Sequence, residues 1–170
     1  IQAKYTKLGQ LEENLLVTLK NGFLLGVMHP VTEEASKAGE QAKIFIEAMN
    51  EVDLPKIVIL PNNDAGSNLV KDAIMQYRKG EYHFYSNLKR EDYLGLLKNA
   101  KCIVGNSSSG LLEAPTFCTP AVNIGRRQDM RFRGVNVLDV SLDKNKIVET
   151  IHKACSDEFH QYWTCYLIRK

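Results

Sequence analysis

Short apolar runs alternate with longer segments whose apolar positions recur at helical spacing, from about residue 23 to about residue 155. Six runs read as strands: residues 23–28, 56–61, 82–85, 101–105, 121–124 and 135–140. The first, Phe23-Leu24-Leu25-Gly26-Val27-Met28, and the core of the second, Ile57-Val58-Ile59-Leu60, are almost wholly apolar. That is the pattern of strands covered on both faces. Between the strands, residues 32–51 place Ala35, Ala38, Ala42, Ile46 and Met49 at helical spacing. Residues 67–79 do the same with Leu69, Val70, Ile74 and Tyr77, and residues 90–100 with Tyr93, Leu96 and Leu97. Strands separated by helices of this length pair in parallel through right-handed crossovers. The pattern therefore predicts an α/β fold, a Rossmann-like three-layer sandwich around a parallel sheet, with residues 1–170 forming one domain.

Composition narrows the picture. A chain of 170 residues that is 44% hydrophobic and 25% charged can bury a single globular core. A net charge of +2 gives no reason to expect nucleic acid as a partner. No apolar run approaches the roughly 20 residues that span a bilayer, so no membrane partner is expected either. The opening residues, Ile1-Gln2-Ala3-Lys4-Tyr5-Thr6-Lys7, lack the apolar centre of a secretory signal and lack a methionine, so a partial chain is expected. Cys102, Cys118, Cys155 and Cys165 form no Cys-x-x-Cys pair and have no histidine at metal spacing. Reduced thiols, a cytoplasmic location, no metal and no cofactor are the expectations.

Candidate chemistry collects in the loops that follow the strands, where open parallel sheets bind their ligands. The run Gly105-Asn106-Ser107-Ser108-Ser109-Gly110-Leu111-Leu112-Glu113-Ala114-Pro115 leads from the fourth strand into a short helix. Small residues let a diphosphate lie close to the backbone, while N–H groups, serine hydroxyls and a helix start offer donors. Glu113, one turn on, is placed to accept hydrogen bonds from ribose hydroxyls. A capped helix with an exposed glutamate fits the same residues. His29, before Pro30, reads as a donor to phosphate or an acid in the cleft, or else as a capping histidine. Asn63 and Asp64 lie in Pro61-Asn62-Asn63-Asp64-Ala65-Gly66-Ser67, where sugar binding and capping of the next helix both remain open. Arg126, Arg127, Arg131 and Arg133 make a basic cluster after the fifth strand that would favour a diphosphate, or simply be solvated. His83, His152 and His160 read as structural or surface residues. Tyr162, Trp163 and Tyr166 read as part of a terminal helix.

Four of these loops together, His29-Pro30-Val31-Thr32, residues 61–67, residues 105–115 and Asn123-Ile124-Gly125-x-Arg127-Gln128, resemble the UDP-N-acetylglucosamine 2-epimerases. The resemblance is closer to the hydrolysing branch that serves sialic and related nonulosonic acid synthesis. It covers roughly residues 5 to 155. It implies one half, the C-terminal domain, of a two-domain GT-B architecture whose active site lies between the domains. It also implies that Ser107 and Ser108 bind the UDP diphosphate, Glu113 the ribose, and backbone near Asn87 and Leu88 the uracil. Arg127 would lie near the phosphates, and His29 would be this domain's contribution to the catalytic cleft. The implied reaction removes the C2 proton of the sugar, expels UDP to give a glycal-like intermediate, and adds water to release N-acetylmannosamine. The family's acid and base carboxylates belong to the absent N-terminal domain, so this chain alone is expected to be inactive. After residue 158 the sequence departs from the family pattern. Its aromatic end and the uncovered cleft lead to an expectation of self-association as a homo-oligomer. Two other readings stay open: the donor-binding half of a GT-B glycosyltransferase, and a non-catalytic flavodoxin-like binding module.

Overall fold

The computed structural model describes residues 4–161. The expectation of a terminal helix around Tyr162, Trp163 and Tyr166 lies outside the described residues. Six four-residue strands form one sheet: β1 (Leu24–Val27), β2 (Lys56–Ile59), β3 (Tyr82–Tyr85), β4 (Cys102–Gly105), β5 (Ala121–Ile124) and β6 (Val137–Val140). All neighbours pair in parallel, in the order β3-β2-β1-β4-β5-β6. This is the doubly wound Rossmann order, which differs from the flavodoxin order and removes the flavodoxin-like reading.

Alternate strand residues point to opposite faces and sort the core into two layers. Leu24, Val58, Cys102, Val104 and Val122 face one cluster, closed by α2 (Ala38–Asn50), α3 (Ser67–Tyr77) and α6 (Lys144–Ala154). Leu25, Val27, Ile57, Ile103 and Ala121 face the other, closed by α1 (Leu8–Leu15) and α4 (Arg90–Asn99). The central strands β1, β4 and β5 are buried throughout, whereas the edge strands β3 and β6 are only partly covered. The Cys102 and Cys155 thiols meet at 3.6 Å, between β4 and the end of α6. Among the described residues, no helix is long and apolar enough to cross a membrane.

Two helices differ from the sequence pattern. The single helix expected over residues 32–51 is broken into a 3₁₀ segment, Thr32–Lys37, and α2. Glu34 leaves helical geometry (φ −123°, ψ 23°), and its carboxylate binds Arg126 and Gln41 instead. The helix after β4, α5 (Ser109–Leu112), is a single turn, so Glu113 caps its C-terminal end rather than lying inside it. A helix this short carries little macrodipole.

Candidate functional site at the β1–β4 switch point

The strand order reverses between β1 and β4, because the chain winds outward from β1 in one direction and from β4 in the other. The crevice above such a reversal is where doubly wound sheets place their ligands. Two loops meet there, His29-Pro30 after β1 and the serine turn after β4. Gly105 makes the junction possible. Its φ of +140° lies in the glycine region, and a Cβ there would collide with the Val27 carbonyl oxygen.

Asn106 joins the loops. Its side chain is buried at 1% exposure, with its Oδ1 accepting the His29 N–H and its Nδ2 donating to the His29 carbonyl, both at 2.8 Å. Its own N–H donates to the Val27 carbonyl at 3.1 Å. Its carbonyl accepts from Gln128 Nε2 at 2.8 Å and from Arg127 Nη1 at 3.2 Å. One residue thus ties together the loops that follow β1, β4 and β5. Asn106 and Gln128 stood inside quoted motifs, yet the sequence assigned them no role. A buried amide cannot be told from an exposed one by spacing.

His29 is half-buried above this hub. Burial lowers its proton affinity below the ordinary histidine value, the Arg127 guanidinium lowers it further, and Asp64 pulls in the opposite direction. The imidazole is therefore biased to its neutral form while sitting close to both a cation and a carboxylate.

In the serine turn, the N–H groups of residues 109 to 113 are engaged locally: Ser109 with Ser107 Oγ, and the next four with carbonyls of residues 107 to 109. Among the described residues, the Ser107 and Ser108 N–H groups are the two in this turn without a protein acceptor. The expected donor array is thus narrower than a full helix start. Ser108 and Arg127 line a common open cleft of about 580 Å³ with Thr32, Gln128 and Arg131. Glu113 lies at the far end of the turn, where its Oε1 meets Arg90 Nη2 at 2.8 Å. Asn63 and Asp64 are exposed and border a separate hollow of about 500 Å³ at the start of α3. Asp64 reaches the central group only through its charge, which acts on both His29 and Arg127.

The basic cluster divides. Arg126 pairs with Glu34 at 2.5 Å, and Arg133 bonds Asp139 at 3.1 Å and the carbonyls of Gln128 and Arg131 at 2.5 and 2.6 Å. These two arginines hold loops, which leaves Arg127 as the arginine that reaches the hub itself. Asn87 is exposed and Leu88 half-buried beyond β3.

Residues 1–165 match the family described as UDP-N-acetylglucosamine 2-epimerase. A UDP-N-acetylglucosamine 2-epimerase of Neisseria meningitidis serogroup B is 33% identical over 132 residues, covering 78% of this chain and 35% of that protein. The polysialic acid biosynthesis protein P7 of Escherichia coli is 34% identical over 146 residues, 83% of this chain and 37% of its own. The chain spans 35% to 40% of the length of the curated relatives it matches. Among solved structures, UDP-GlcNAc 2-epimerase from Neisseria meningitidis bound to UDP-GlcNAc superposes with a TM-score of 0.68 at 13% identity, covering 95% of this chain and 49% of that one. The glycosyltransferase WaaG superposes with a TM-score of 0.51 at 14% identity, covering 91% and 44%. The fold is one Rossmann-like half of the GT-B arrangement, and the chain belongs to the UDP-N-acetylglucosamine 2-epimerase family.

Proposed function

We propose that this chain is the UDP-binding half of a hydrolysing UDP-N-acetylglucosamine 2-epimerase. The whole protein would convert UDP-N-acetylglucosamine to N-acetylmannosamine and UDP for sialic or nonulosonic acid synthesis. The observation that carries this reading is the Asn106 bridge, which fastens the His29 backbone to a hydroxyl-rich turn at the sheet's switch point. In this reading the Ser107 and Ser108 N–H groups and hydroxyls donate to the diphosphate, and Arg127 supplies positive charge across the cleft. Such donors stabilise the charge that develops on UDP as the C1–O bond breaks. Glu113 accepts a ribose hydroxyl through Oε2, the oxygen opposite the Arg90 contact. Backbone near Asn87 and Leu88 takes the uracil, and Asn63 and Asp64 face the sugar.

A base in the missing N-terminal domain removes the C2 proton. The C–H electron pair forms the C1=C2 bond as UDP departs, and water then adds to the glycal. Held neutral, His29 donates an N–H to the leaving diphosphate; arrival of the anion raises its proton affinity and readies it as an acid.

Calorimetric titration with UDP, using ADP as control, tests the nucleotide site directly. Saturable, UDP-preferring binding is expected, weakened about tenfold in Glu113→Ala, on the scale of one charge-assisted hydrogen bond. A folded chain that shows no saturable UDP binding overturns the reading. Release of free N-acetylmannosamine by the full-length protein, with no acceptor present, tests the hydrolysing outcome; UDP-N-acetylmannosamine as sole product contradicts it.

A further inference from the structure

The α4 helix presents Tyr93 to the back of the serine turn. The Tyr93 hydroxyl hydrogen-bonds Ser109 Oγ, and Ser109 Oγ lies 2.9 Å from Ser107 Oγ. The Ser109 N–H also donates to Ser107 Oγ, at 3.3 Å. Ser109 is 6% exposed, whereas Ser107 is half-buried and stands next to Ser108, which lines the open cleft. Three hydroxyls therefore form a hydrogen-bonded chain from the core to the half-buried Ser107.

Resting on the UDP-site reading above, we infer that Tyr93 is a positioning residue for the diphosphate, acting through Ser109 to aim the Ser107 hydroxyl hydrogen into the cleft. The inferred direction has Tyr93 donating to Ser109 and Ser109 donating to Ser107. Ser107 Oγ has two lone pairs, and the N–H and O–H of Ser109 fill both. Ser109 Oγ then needs a donor, and Tyr93 supplies it. The hydrogen of Ser107 is left to the ligand. Burial, reinforced by the nearby Glu113 carboxylate, pushes the Tyr93 phenol above its ordinary range despite the opposing serine bonds, so the hydroxyl keeps its proton. A phenyl ring at residue 93 would leave the buried Ser109 hydroxyl without its donor, and the chain would lose its fixed direction.

The hydroxyl is not needed to hold α4. The start of that helix is already fixed by Asp92, whose Oδ1 accepts from Thr6 Oγ1 at 2.7 Å and Asn14 Nδ2 at 3.1 Å, and by the Thr6 N–H to the Glu91 carbonyl at 2.9 Å. The Tyr93 ring packs with the α1–α4 core independently of its oxygen.

The test compares UDP with uridine, which lacks the phosphates, on the 170-residue chain. UDP affinity is read by calorimetry and uridine affinity by ligand-observed NMR. Tyr93→Phe is expected to weaken UDP binding about fivefold, the worth of one net hydrogen bond, and to leave uridine binding unchanged. Ser109→Ala is expected to do the same, and the double variant no more than the larger single effect, since both act through Ser107. Equal weakening of UDP and uridine overturns the inference in favour of a purely structural role. Unchanged UDP affinity in Tyr93→Phe overturns the relay while leaving the nucleotide site standing. A parent chain that binds no UDP overturns the site itself, and the relay with it.

Discussion

The loops after β4 and β5 read alike in the sequence, both polar, both at the ligand edge, both rich in possible phosphate donors. They fold by opposite means. The turn over residues 105–113 is largely buried and knit by its own N–H, hydroxyl and amide groups around Asn106. The loop over residues 125–134 stands out from the sheet. Met130 takes a left-handed conformation (φ 67°) and, with Phe132 at 88% exposure, faces outward. The base of that loop is tied to the hub by Gln128 and Arg127 donating to the Asn106 carbonyl, and its outer part is held by the Arg126–Glu34 pair and by the Arg133 guanidinium reaching Asp139, Gln128 and Arg131. A turn whose polar groups satisfy one another fixes donor positions before a ligand arrives. A loop whose outer part is fastened largely by arginine ion pairs with exposed side chains is cheaper to rearrange.

The largest expected effect that separates the two regions is in the first. Gly105→Ala places a methyl group against the Val27 carbonyl at a φ of +140°. It should cost about 4 kcal/mol or more, from backbone strain and clash together, seen as a collapsed urea midpoint. Asn106→Ala strips both partners from the His29 backbone and should cost about 3 kcal/mol, with UDP affinity falling alongside. A loss under about 1 kcal/mol would mean that water replaces the amide and that the hub is not rigid. In the second region, Arg133→Met should cost only about 1–2 kcal/mol, because its carboxylate partners Asp129 and Asp139 are largely exposed and can turn to water. A cost equal to that of Asn106→Ala would erase the contrast.

His29 gives a smaller, pH-dependent effect. Its proton affinity is lower in the folded chain than in the unfolded one. The stability tied to its neutral form is thus fully present above the ordinary value of 6.5 and is lost as pH falls through the lower folded value. The melting temperature should decline from pH 7 toward pH 5, and His29→Gln should flatten the upper part of that decline. An identical slope in the variant would show that carboxylates alone govern it. Smallest of all, Met130→Ser with Phe132→Ser should leave the melting temperature within about 1 °C, since neither side chain is buried.

Much of this was legible before any coordinates. The six apolar runs are six strands, and the alternation within them sorts Leu24 from Leu25 and Ile57 from Val58 onto opposite faces. Residues 32–51 misled because alanine periodicity runs straight through the 3₁₀ segment. Only the Arg126 partner, brought from another loop, draws Glu34 out of register. The arginines after β5 stay open in the sequence for a related reason. Composition counts charges, while pairing with Glu34 and Asp139 decides which of them can meet a ligand.

The sequence by itself determined the strands, their parallel pairing, the edge where polar loops gather and the family, because periodicity, loop chemistry and motif order are local properties carried along the chain. Tertiary structure decided what those loops are bonded to. Asn106 acquires its role from the strand order that sets β4 beside β1. Tyr93 meets Ser109 only because α4 packs beneath that turn. Hydrogen bonds are short and directional, so residues 16 or 77 apart in sequence form them only after packing has fixed both partners.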